Sequence, residues 1–68
     1  MKKYLKKIKT IREQLVSESE KRDQVFLGRT ESWQRSGKGV TYEINTQLIA
    51  DAVEGLDTAI YNLELTQK

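Results

Sequence analysis

Apolar residues in this chain recur at helical spacing on both sides of one strong break. At about 100° per residue, Tyr4, Ile8, Ile11, Leu15, Phe26 and Trp33 share one sector of a helical wheel. Within that sector Ser19, Arg22 and Arg29 interrupt the stripe. A second stripe, Leu5, Val16 and Leu27, is spaced by 11, a repeat that suits nearly straight or slightly right-handed packing. From Leu48 to Leu63 the chain reads LIADAVEGLDTAIYNL, a wide apolar face with no Lys or Arg. Between the two patterns lies Ser36-Gly37-Lys38-Gly39, and no Pro occurs anywhere.

The pattern predicts an all-α single domain over 1–68. It reads as an antiparallel two-helix hairpin, with a first helix over about 3–34, a loop over 35–41 and a second helix over about 42–65. Gly28 costs about 1 kcal/mol against Ala inside a helix and is a competing end for the first one. Continuation is preferred because Trp33 keeps phase with Phe26 and Ile11. Thr41 is the expected N-cap of the second helix, with Ser36 the competitor. In either version Trp33 and Tyr42 lie close across the turn.

The second helix has two apolar flanks. One is mostly small: Leu48, Ala52, Gly55 and Ala59. The other is large: Ile49, Val53, Leu56, Ile60 and Leu63, with Tyr42 in line. The small flank is expected to receive the first helix. The large flank then needs another chain, so Tyr42, Ile49, Val53, Leu56, Ile60 and Leu63 are the expected oligomer interface. The economical assembly is a homodimer forming a four-helix bundle. A register in which paired positions sum to about 76 sets Arg22 beside Glu54 and the lysine-rich start beside the end of the second helix.

Size reinforces the need for a partner surface. A chain of 68 residues is marginal as a lone domain. With no Cys and no His, disulfides and the usual zinc ligands are excluded. No apolar run approaches the roughly 18 residues of a membrane span. The start MKKYLKKIK lacks the apolar run and cleavage site of a secretory leader, so a cytoplasmic protein is expected.

Charge is segregated. Lys2, Lys3, Lys6, Lys7, Lys9 and Arg12 stand without an acid in residues 1–12, whereas residues 13–68 carry six bases against ten acids. The basic end is a candidate polyanion-binding stripe for RNA or DNA, or a solubilising end. Arg22 and Arg29 face the core stripe and need pairing or stacking, Arg29 beside Trp33. Two copies in a dimer would line an anion slot suited to a nucleotide. Ser36-Gly37-Lys38-Gly39 lacks the strand, spacing and Lys-Ser/Thr of a phosphate loop. No carboxylate pair sits in an apolar setting that would tune its acidity, so no enzyme and no cofactor are expected.

The segment Trp33-Gln34-Arg35-Ser36-Gly37-Lys38-Gly39-Val40-Thr41-Tyr42 resembles a W-Q-x-S-x-K-G-x-x-Y element of short uncharacterised bacterial and phage helical proteins. The resemblance covers roughly 30–65 and implies a helical architecture and a phage-type origin. The architecture is also similar to the RNA-binding plasmid protein Rop, without a shared motif. The leading functional expectation is a protein-binding oligomer, a phage-type inhibitor or adaptor of a host protein. Its partner contacts would be Leu5, Val16, Leu27 and Trp33. The alternatives are nucleic-acid binding through the N-terminal lysines and nucleotide binding through Arg22 and Arg29.

Overall fold

The computed structural model describes residues 1–67 and is all-helical, with no strand among them. Helix α1 spans Lys2–Leu27, the short α2 spans Glu31–Arg35, and α3 spans Gly37–Leu65. The long helices lie side by side and antiparallel: Arg22 reaches Thr46 near the bend, and Lys9 reaches Glu64 at the other end. The Cα trace measures 52 × 14 × 11 Å.

The expected loop over 35–41 is helix instead, apart from a sharp break at Ser36. Gly28 closes α1 in right-handed backbone, and Thr30 turns extended as the N-cap of α2, accepting from the Trp33 amide at 3.2 Å. Glu31 supports the first turn of α2 and pairs with Arg35 one turn on. Ser36 then ends α2 and begins α3. Its amide bonds the Trp33 carbonyl, while its hydroxyl accepts from the Gly39 amide at 3.2 Å. Ser36, not Thr41, is therefore the cap, and Gly37 and Gly39 occupy the first turn.

The earlier end of α1 changes the register. Arg22 meets Thr46 and Tyr42, about two turns from the expected Glu54, because the corner begins at Gly28 rather than beyond Trp33. Contact between Trp33 and Tyr42 is as expected, with ring centroids 5.7 Å apart.

Buried and half-buried positions follow a 3-4-3-4 spacing on both long helices. On α1 the series is Leu5, Ile8, Arg12, Leu15, Ser19, Arg22 and Phe26; on α3 it is Gly39, Tyr42, Thr46, Ile49, Val53, Leu56, Ile60 and Leu63, with Val16, Ala50 and Ala59 half-buried beside it. That is the seam of an antiparallel coiled coil, and it supersedes the spacing of 11. It also reverses the flanks. Tyr42, Ile49, Val53, Leu56, Ile60 and Leu63, expected to face another chain, turn toward α1, because the large side chains fill the heptad seam. Leu48, Ala52 and Gly55 are exposed.

The seam is shallow. Leu5 and Ile60 are its buried apolar residues, and among the described residues no large side chain is fully buried. The radius of gyration is 15.6 Å, against about 11 Å for a compact domain of this length.

Candidate functional site

At the bend, three aromatic rings and two guanidinium groups form one stack. Phe26 meets Trp33 edge-on at 6.0 Å, and Trp33 meets Tyr42 edge-on. Arg22 lies over the Tyr42 ring at 3.9 Å and Arg29 over Trp33 at 4.3 Å, the latter as the sequence leads one to expect. Arg22 also donates from Nε to the Thr46 hydroxyl at 2.9 Å and from Nη2 to the Tyr42 carbonyl at 3.1 Å. Thr46 in turn donates to that carbonyl at 3.0 Å. Among the described residues neither arginine has an acidic partner. Within one chain they flank different rings and do not line a common slot.

Two residues outside the sequence-derived set hold this bend in place. Gln34 donates from Nε2 to the carbonyls of Phe26, 2.9 Å away, and Arg29, 3.2 Å away, so it caps the open end of α1. Gly39 is buried against α2, where an added Cβ would overlap the Trp33 carbonyl oxygen and come 2.7 Å from that of Gln34. Thr46 is a further omission, 7% exposed in the seam. Its spacing, four after Tyr42 and three before Ile49, was the available signal.

The basic residues gather at the far end. Lys2, Lys6 and Lys9 line an open groove of about 430 Å³ with Leu5, Thr10, Glu13 and Gln67. Lys7 lies beside Lys6, Thr10 and Ile11. Lys9 stands 4.0 Å from Glu64. Arg12 binds Asp57 and also Glu13 at 3.0 Å, and the Asp57 hydrogen bond and charge hold its guanidinium above its ordinary range. Among the described residues Lys2, Lys3, Lys6 and Lys7 have no ion-pair partner.

The residues expected to contact a protein partner separate. Leu5 is buried in the seam and is not available, because the 3-4 spacing draws it under α3. Val16 is half-buried beside Ser19, Glu20, Ala50 and Val53, around a depression of about 140 Å³. Leu27 is 74% exposed at the end of α1, and Trp33 in α2 is half-buried.

The seam divides the pair of long helices into two faces. One carries the ion pairs between helices, Lys9 with Glu64 and Arg12 with Asp57, and the depression lined by Val16, Glu20 and Ala50. By helical phase, the opposite face combines Tyr4, Ile11, Glu18 and Val25 of α1 with Leu48, Ala52, Gly55 and Ala59 of α3. Glu18 is its central charged residue, with Lys7 and Lys21 along its outer edge.

Among the described residues no helix is long and apolar enough to cross a membrane. No family model matches this chain, no curated protein matches it, and no solved structure matches it.

Proposed function

We propose that this chain is a non-enzymatic helical hairpin that assembles with a second copy as a four-helix bundle and acts by binding a protein. The observation that carries the reading is its exposure. Its accessible surface is 5296 Å², against about 4,400 Å² for a compact monomer of its mass. A bundle closes that difference by covering the open sides of the seam.

The resemblance of the Trp33–Tyr42 element adds the role of a phage-type inhibitor or adaptor in the host cytoplasm. Leu27 and the Trp33 edge, with Val16, remain for the partner. Light scattering tests the assembly, and a pulldown from the native host at low and moderate salt tests the partner. The expected result is a dimer that retains a host protein at both salt levels. A monomer that retains only itself would sink the reading.

A second reading is favoured by Lys2, Lys3, Lys6 and Lys7, which have no ion-pair partner among the described residues: the basic end binds RNA or DNA. Such binding weakens steeply with salt and is lost when those four become Ala. Gel shifts at low salt that show no retardation of either nucleic acid exclude it. A nucleotide-binding oligomer has less support, since Arg22 already spends two donors and its flat face inside the chain.

A further inference from the structure

We infer that a second copy of this chain docks on the face made by Tyr4, Ile11, Val25, Leu48, Ala52 and Gly55. This rests on the proposed self-association and adds which surface performs it. Tyr4, Ile11, Val25 and Leu48 are 59%, 47%, 49% and 58% exposed, so large apolar side chains line this side in the single chain. On the opposite side Lys9 and Arg12 already pair across the seam with Glu64 and Asp57.

Area identifies the occupant. The surface excess is about 900 Å² per chain, so two copies would bury about 1,800 Å² in all, the size of a standard stable interface. The 52 Å length of the helix pair allows that area to lie on one flat face. Shape agrees. The α1 side of the face is a ridge of large residues, and the α3 side is a furrow at Ala52, Gly55 and Ala59. The Gly55 position opens onto empty space. Because Arg12 pairs with Asp57, Ile11 lies level with the furrow. A two-fold axis running along the helices lays the ridge of each copy over the furrow of the other, and no third surface is needed.

The test uses the full chain with Ile11→Glu and Leu48→Glu, and with Leu27→Glu and Tyr61→Glu as controls on exposed positions off this face. Ile11→Glu and Leu48→Glu should each weaken dimerisation by more than about tenfold in sedimentation equilibrium, while the controls leave it unchanged. Since the chain has no Cys, Ala52→Cys and Tyr61→Cys add a readout that does not depend on a disruptive charge. The thiol at 52 should react slowly with a soluble maleimide in the dimer and rapidly on dilution to monomer, and the thiol at 61 rapidly in both. A monomeric wild type overturns the self-association itself. A dimer that ignores Ile11→Glu and Leu48→Glu, or leaves the thiol at 52 fully reactive, overturns this face alone.

Discussion

The guanidinium of Arg22 and the hydroxyl of Thr46 meet 2.9 Å apart in the seam between α1 and α3, and no carboxylate pairs with either among the described residues. A cation in a helix interface is here satisfied by a hydroxyl, a carbonyl and a ring face. Thr46→Val keeps the shape and removes the acceptor, leaving Nε without a partner. That should cost about 1–2 kcal/mol in urea unfolding. Arg22→Met keeps the stem and removes the charge, and should cost less than Arg22→Ala. In the double variant Arg22→Met/Thr46→Val the loss should fall below the sum of the singles.

Gly39 and Gly37 share a turn of α3 and should respond in opposite directions. Gly39→Ala forces a Cβ into the backbone of α2, where nothing flexible gives way. A loss of about 2 kcal/mol or more is expected. Gly37 has open space around its missing Cβ, so Gly37→Ala should gain about 0.5 kcal/mol. Thermal melts of the two variants decide this. Equal effects would contradict the close approach at Gly39.

Ser36 supplies the side-chain cap of α3. Ser36→Ala should cost about 1 kcal/mol, and Ser36→Asp should recover most of it, because a carboxylate accepts from the same amide and suits the helix N-terminus. Thr41→Ala should change little, since Thr41 lies within the helix. Chemical denaturation ranks the three.

Trp33 is the single tryptophan, so its fluorescence reports on the bend alone. Trp33→Ala removes two edge-on ring contacts and the platform under Arg29, and should cost about 2–4 kcal/mol. In the intact chain, Arg29→Ala should move the emission while leaving helical content unchanged. An unmoved spectrum would show that the stacking of Arg29 on Trp33 does not persist in solution.

The helical class was legible from apolar periodicity, the contact of Trp33 with Tyr42 from their places on either side of the Gly-rich break, and the stacking of Arg29 from the need to satisfy a cation on the core stripe. The corner was not. Trp33 follows Phe26 by seven residues, the same phase a continuous helix would give, yet the rings meet because the chain folds back at Gly28. Thr30 and Gln34 carried the contrary signal. Thr30 precedes an acid and a tryptophan in the manner of a cap, but it sits inside a stretch whose apolar residues keep helical phase. The flanks of α3 were reversed for a related reason. Small residues invite close approach, but the 3-4-3-4 spacing of the larger ones decides which side meets α1. Thr46 and Arg22 obscured that spacing by being polar at seam positions.

The short corner also governs how the chain reaches its final form. Contacts at the bend join residues close in sequence: Phe26 with Trp33, Trp33 with Tyr42, Gln34 with Phe26. At the other end, Arg12 must find Asp57 across 45 positions. Loop closure is least costly at the bend, so the two long helices are expected to join there first and zip toward the lysine-rich end. Ser36→Ala and Gly39→Ala should therefore slow refolding, while loss of the Arg12–Asp57 pair should act mainly by hastening unfolding.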